Sequence, residues 1–312
     1  MDAKPAKSVN CIGRRGFLRS LFGLTTAVES TAVETDPAEA RAHARGRCFW
    51  ADLRTGQIGF PSGLNLGSAA PGSLMKLVAA AAFHEEALIN PNETVECRGS
   101  ATVRKHPVAC QFAHGAINLP HAIGKSCNIY FAEMSSRLHA KAFLDYARRF
   151  GLDQAVAGNP SGPFPSKYEH DSLNYVLGLA DDFRPNALQV LRMSALIGAR
   201  GQLAHLHSAE EPASDAPPFI LKLSEGTWSL LAKGMELAVR EGTAKKLDPE
   251  NKLHIAAKTG TTRHGTKFQS WVTGFFPLEN PHYAFCVLSP NGTSMEAAVP
   301  AAREFLFATT WP

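Results

Sequence analysis

Between Pro71 and His84 lies the stretch that most constrains how this chain can fold: Leu74 to Phe83 is apolar throughout except for Lys76. A helix of that composition has no water-facing side, so other elements must surround it. Pro71-Gly72 reads as its start, since proline is tolerated in a first turn and glycine permits close backbone approach. Ser73 then falls in the first turn, where unpaired N–H groups and the positive dipole end favour developing negative charge. Lys76 follows three residues on, on the same face. A serine hydroxyl becomes a nucleophile when a neighbouring base takes its proton, and a desolvated lysine can be that base. A small helical serine beside a lysine reaching water would look the same, so the rest of the chain must decide.

The chain has 312 residues, enough for one large domain or two modest ones. A net charge of +4 without a dense Lys/Arg tract past the N-terminal region gives no reason to expect nucleic acid as a partner. No apolar run reaches the roughly 20 residues that span a bilayer. Residues 1–45 read as an export leader or a disordered basic tail. Arg14-Arg15-Gly16-Phe17-Leu18-Arg19 is similar to a twin-arginine signal, Leu21 to Val28 is modestly apolar before Glu29 interrupts it, and Ala40-Arg41-Ala42 suits cleavage. Cys97 and Cys110, flanking a short turn-rich segment, are candidates for a disulfide in an oxidising compartment; two unrelated buried thiols are the alternative. His205-Leu206-His207 with Glu210 and Glu211 lacks a third ligand at convincing spacing and reads as a solvated loop, so neither a metal nor a cofactor is expected.

Taken in order, residues 46–312 begin with a hairpin, Arg47 to Ala51 and Gln57 to Phe60 around Asp52-Leu53-Arg54-Thr55-Gly56. Helices follow: the Ser73 helix, one capped by Asn118 with Pro120 in its first turn, then Asn128 to His139, Ala140 to Phe150 and Asn186 to Ala199. Cys97 to Gln111 reads as irregular or short-stranded. After a helix from Ser224 to Glu241 come strands at Leu253 to Thr262, Ser270 to Phe276 and Tyr283 to Ser289, and a last helix from Ser294 to Phe307. Strands at both ends with helices between them predict an α+β fold. It has one antiparallel sheet of about five strands formed from both ends, with a helical subdomain inserted between strands two and three. The sheet subdomain is 46–70 with 224–312, and the helical subdomain is 71–223.

Two further motifs fall at informative places. Ser126-Cys127-Asn128 lies at a helix junction, where side chains can point into a cleft. Lys258-Thr259-Gly260-Thr261 lies on a strand expected to edge the sheet beside the Ser73 helix, with glycine admitting a substrate backbone. Each is weak alone, since caps and strand ends look alike. In the order S-x-x-K, S-x-N, K-T-G they resemble the motif set of penicillin-binding proteins and serine β-lactamases. From about Arg47 to Phe307 the chain resembles the transpeptidase domain of a penicillin-binding protein. His114 to Asn118, Ala122 to Phe131, Gly242-Thr243-Ala244 and Trp271 to Phe275 extend the likeness. Arg184-Pro185 stands where relatives often carry Thr-Pro, and the resemblance does not extend to the large members' N-terminal pedestal and glycosyltransferase regions.

That resemblance implies roles. Ser73 would attack the carbonyl between two terminal D-alanines of a peptidoglycan stem peptide and form an acyl-enzyme. Lys76 would be the base, its pKa lowered by burial and by the nearby cation Lys258. Ser126 would pass the proton to the leaving amine. Asn128 would hold the substrate amide and Lys76; Lys258 would supply positive potential; Thr259 and Thr261 would bind the substrate carboxylate. The N–H groups of Ser73 and Thr261 would form the oxyanion hole. Stem peptides are then the substrates and β-lactams the inhibitors, in the periplasm, with no protein partner indicated. The rivals are a β-lactamase and a non-catalytic muropeptide or β-lactam sensor of the same fold. Against the first, His170 stands where a deacylating glutamate is expected ahead of Leu173-Asn174, and the second motif ends in Asn128 rather than valine.

Overall fold

The computed structural model describes residues 47–59, 66–167, 171–208 and 217–311. The expected leader with Arg14-Arg15, His170 and the Glu210-Glu211 segment lie outside the described residues.

Strand β1 (Arg47–Asp52) turns into β2 (Gln57–Gly59). Asp52 shapes the turn, its carboxylate accepting the N–H groups of Arg54 at 2.8 Å and Thr55 at 3.1 Å. A tight 3-10 turn, Gly72–Leu74, leads into helix α1 (Met75–Glu85). Ser73 therefore stands in the narrow turn before the α-helix rather than in its first turn. The stretch read as irregular or short-stranded is short-stranded: it holds β4 (Ser100–Val103) and β5 (His106–Ala109), paired with each other and flanked by β3 (Val95–Cys97) and β6 (Gly115–Ile117), which also pair.

Helices α2 (Leu119–Gly124), α3 (Asn128–Ser135), α4 (Ala140–Arg149), α5 (Leu173–Leu177) and α6 (Ala187–Gly198) fill the middle. Asn118 caps α2 by accepting the His121 N–H, and Asn186 with Gln189 forms a capping box on α6. Such caps contribute about 1 kcal/mol each. Then come the two-residue strands β7 (Gln202–Leu203), β8 (His207–Ser208) and β9 (Phe219–Ile220), and helix α7 (Glu225–Arg240), capped by Ser224. Strands β10 (Ala256–His264), β11 (Lys267–Phe276) and β12 (Tyr283–Ser289) and helix α8 (Val299–Ala308) complete the described chain.

The main sheet runs β10-β11-β12-β1-β2-β8. Its first five strands are the expected antiparallel set drawn from both ends. The sixth, β8, comes from within the insertion and pairs in parallel with β2 through two residue pairs, a feature too short to leave a sequence signature. Both faces of the sheet are covered. Trp271, Phe275, Cys286 and Leu288 join the core shared with α1 and α6, while Val272, Phe285 and Val287 pack toward α8. That explains why β12 is buried at every position instead of alternating with polar residues. β10 holds the outer edge of the sheet, beside the Ser73 turn.

Candidate active site

Glycine lets the Ser73 turn press against β10. A Cβ on Gly260 would lie 2.5 Å from the Pro71 carbonyl oxygen, and one on Gly72 would lie 2.9 Å from that of Thr261. Gly72 also has φ +54°, a left-handed conformation costly for other residues. Gly260 thus admits the protein's own backbone, not only that of a substrate. Trp271 on β11 ties the same segment from the other side, its Nε1 donating to the Ala70 carbonyl at 3.1 Å.

Lys76 has no exposed surface, which rules out a lysine reaching water. Its Nζ donates to Asn128 Oδ1 at 2.6 Å and to the Ser126 carbonyl at 2.7 Å, and lies 3.4 Å from Ser126 Oγ. Burial draws its ammonium down to about 8, while Cys127 and Cys110 pull the other way. Lys258 is equally buried and donates to Ser126 Oγ and to the Thr259 carbonyl, both at 2.9 Å. Burial first, and then repulsion from Lys76, push Lys258 well below the ordinary lysine range. The expected mutual repulsion is therefore expressed on Lys258, and Lys76 is lowered by burial.

Ser126 sits between α2 and α3 with φ +56°, a strained conformation for serine that lets its carbonyl and hydroxyl both meet Lys76. Asn128 opens α3; besides holding Lys76, its Nδ2 donates to the Ala109 carbonyl at 2.7 Å. Thr259 Oγ1 is 2.6 Å from Thr243 Oγ1, and Thr261 Oγ1 accepts the Ser294 N–H at 3.0 Å. Ser73, Ser126, Asn128, Thr259 and Thr261 line one cleft of about 780 Å³, with Lys76 and Lys258 buried behind Ser126. Every residue of the three motifs is thus gathered at one place. Sequence reasoning assigned no role to Thr243, although it stands in the Gly242-Thr243-Ala244 segment that carries part of the resemblance. It also assigned no cleft role to the 110–114 loop, which forms one wall.

The cysteines depart from expectation. Cys97 and Cys110 are free thiols. Pairing of β3 with β6 instead sets Cys97 opposite Gly115, with its Sγ 3.2 Å from His114 Nδ1. Cys110 Sγ lies 3.8 Å from Cys127 Sγ and accepts the Asn128 N–H at 3.1 Å. The hydrogen bond from Cys127 holds the Cys110 thiol down near 5 and pushes Cys127 up. The ligand atoms of Cys97, Cys110, His114 and Cys127 all lie within 4.8 Å of one another. Three sulfurs and an imidazole suit a zinc-class cation, whose metal–sulfur bonds of about 2.3 Å set tetrahedral sulfurs about 3.8 Å apart. The donor set fits such an ion.

Comparison with known proteins gives a consistent picture. Residues 61–307 match the penicillin binding protein transpeptidase domain. Penicillin-binding protein PbpB of Mycolicibacterium smegmatis is 25% identical over 271 residues, covering 75% of this chain and 42% of that protein. Peptidoglycan D,D-transpeptidase PbpA of Mycobacterium tuberculosis is 26% identical over 271 residues, covering 74% and 52%. The chain thus spans about half or less of the length of these relatives. Among solved structures, Pseudomonas aeruginosa PBP2 in complex with WCK 5153 superposes with TM-score 0.74 at 23% identity, over 85% of this chain and 70% of that one. The transpeptidase domain of Burkholderia pseudomallei penicillin-binding protein 3 also gives 0.74, at 20% identity, over 86% and 89%.

Proposed function

Since this chain belongs to the penicillin-binding protein transpeptidase family, we propose that it is a serine D,D-acyltransferase acting on the D-Ala-D-Ala ends of peptidoglycan stem peptides. The observation that carries this is Lys76: fully buried, three residues beyond Ser73, and held by Ser126 and Asn128. Neutral Lys76 takes the Ser73 proton as Ser73 Oγ attacks the carbonyl of the penultimate D-alanine. The N–H groups of Ser73 and Thr261 receive the oxyanion, a contribution of about 3 to 4 kcal/mol per donor in related chemistry. Ser126, bonded to Lys258 and near Lys76, relays the proton to the leaving D-alanine amine. Thr259 and Thr261 receive the substrate carboxylate, with Thr243 fixing Thr259. Water or a neighbouring stem-peptide amine then releases the acyl group. A zinc-class cation, when bound, would be held by Cys97, Cys110, His114 and Cys127; with its coordination filled by protein donors, it would brace the cleft wall.

Such a substrate lies outside the cytoplasm. The reading therefore includes export, with residues 1–45 as a leader ahead of a catalytic unit over 46–312. Among the described residues no helix is long and apolar enough to cross a membrane.

Labelled penicillin tests the reading. Ser73-dependent labelling with slow release is expected; fast release would identify a β-lactamase, and no labelling a non-catalytic sensor. Mass spectrometry of products from a purified stem peptide, with and without an amine acceptor, separates carboxypeptidase from transpeptidase chemistry.

A further inference from the structure

We infer that Cys110 and Cys127 form an oxidation site controlling the cleft: peroxide joins them in a disulfide that cannot coexist with a cation across Cys97, Cys110, His114 and Cys127. The link to acylation rests on the function proposed above; the thiol chemistry does not. Their sulfurs are 3.8 Å apart, the separation a tetrahedral zinc would keep, with no other side chain needed to bridge them. Closure brings them to about 2.05 Å, too close for both to remain ligands of one ion.

Accessibility distinguishes the two thiols. Cys110 is half-buried on the cleft wall, next to exposed Gln111 and Phe112, so a small oxidant can reach it. Cys127 is fully buried and can act only as the second, resolving thiol. In the first step the Cys110 sulfur takes one oxygen from hydrogen peroxide, giving a sulfenic acid and one water. In the second the Cys127 sulfur displaces that oxygen and the S–S bond forms; the oxygen leaves as a second water, built from the sulfenic hydroxyl and one proton, which Cys127 supplies in the metal-free chain and solvent supplies, as it also does in the first step, when the sulfurs ligate zinc. Two sulfurs lose two electrons in all and the peroxide gains them.

The consequence for the cleft follows from what these cysteines adjoin. Cys127 is flanked by Ser126 and Asn128, which hold Lys76, and Cys110 Sγ accepts the Asn128 N–H. Ala109 accepts the Asn128 side-chain amide. Drawing the sulfurs together by well over an ångström shifts this bonded unit relative to Lys76, and displacements of about 1 Å at such a site cost about 100-fold in rate.

The test uses the full chain loaded with zinc sulfate and then exposed to hydrogen peroxide. Three readouts are followed: zinc released to a chromogenic chelator, a non-reducing peptide map, and the rate of labelling by penicillin. The expected result is stoichiometric zinc release in step with a Cys110–Cys127 cross-link and at least a 10-fold slower acylation, reversed by dithiothreitol plus zinc. Cys110→Asp keeps a donor atom but cannot cross-link. Peroxide should change its acylation less than 2-fold relative to its own untreated rate; Cys110→Ser serves if that variant does not fold. No zinc uptake, zinc retained after cross-linking, a cross-link involving Cys97, oxidation stopping at sulfinic acid, or cross-linking with acylation unchanged would each overturn the inference. Absence of labelling before any peroxide is added would instead defeat the proposed function, and with it the inferred control of the cleft. Zinc release and the map would still decide the chemistry of the pair.

Discussion

Lys76 and Lys258 address the same hydroxyl: Ser126 Oγ lies 3.4 Å from one ammonium nitrogen and 2.9 Å from the other. Both lysines are fully buried, and repulsion between them disfavours the doubly charged state. One proton-accepting amine beside a proton-relaying hydroxyl is what general-base activation of Ser73 requires.

Lys76→Arg retains a charge but cannot yield a proton, and Lys76→Met removes both. Each should slow penicillin acylation roughly 100- to 10,000-fold. Because the Ser126 carbonyl and Asn128 Oδ1 lose their donor, Lys76→Met should also cost about 2 kcal/mol, read by chemical denaturation. Near wild-type labelling in Lys76→Arg would remove the base assignment.

The pH dependence follows from the direction of the Lys76 shift. In the proposed mechanism its neutral form is the base, so the acylation rate should rise with pH through about 8, the value to which burial lowers it. From there to about 10.4 the unfolded chain keeps a proton that the folded protein has lost, so stability should also rise over that window. Stopped-flow acylation across the range checks the first part; a flat profile would count against a titrating Lys76.

Gly260→Ala places a methyl 2.5 Å from the Pro71 carbonyl oxygen. The Ser73 turn must retreat from β10, separating the nucleophile from the Thr261 N–H. A loss of about 100-fold in acylation is expected from such a displacement. A crystal structure of the variant should show the turn moved while β11 and β12 stay in register.

Thr243→Val removes the 2.6 Å partner of Thr259 at nearly constant volume. The expected cost to stability is about 1 kcal/mol, and the apparent affinity for stem peptide should weaken more than turnover. A fall in turnover with apparent affinity unchanged would place Thr243 in the chemical step instead.

Arg192, buried in α6, donates to the carbonyls of Ala155 and Gln154 at 2.9 Å each and to that of Gly151. Arg192→Met leaves the Ala155 and Gln154 carbonyls without this donor past the end of α4, while Gly151 keeps the Gln154 N–H. Destabilisation of about 3 kcal/mol is expected in thermal or urea unfolding, since each buried unsatisfied group costs about 1 to 3 kcal/mol.

The motif residues were legible because S-x-x-K and K-T-G put their chemistry on short local spacings, and helix caps such as Asn118 and Asn186 leave compositional marks. What escaped depends on long-range pairing. Cys97 meets His114 only because β3 pairs with β6, and Cys110 meets Cys127 only because the end of β5 lies beside the start of α3. None of these short strands has enough residues to show a period, so the spacing alone suggested a Cys97–Cys110 bridge. The pairing of β8 with β2 was hidden for the same reason. Gly260 was recognised as a close-approach site, but which backbone approaches is a property of packing.

The central pairing of β1 with β12 bears on how the protein comes into being. Arg47 is aligned with Leu288, so a strand made early stays without its principal neighbour until nearly the whole described chain has been synthesised. Lys258 reaches Ser126 across 132 residues of sequence. Contacts this remote are slow to form, because the loops they close are ordered before they are rewarded. The nucleophile helix can acquire its burial from the helical insertion earlier, but its partner cations cannot meet until β10 docks. A nascent or truncated chain ending before β10 would therefore carry Ser73 and Lys76 without Lys258 or the Thr261 N–H, leaving the proposed acylation site incomplete until β10 has been made.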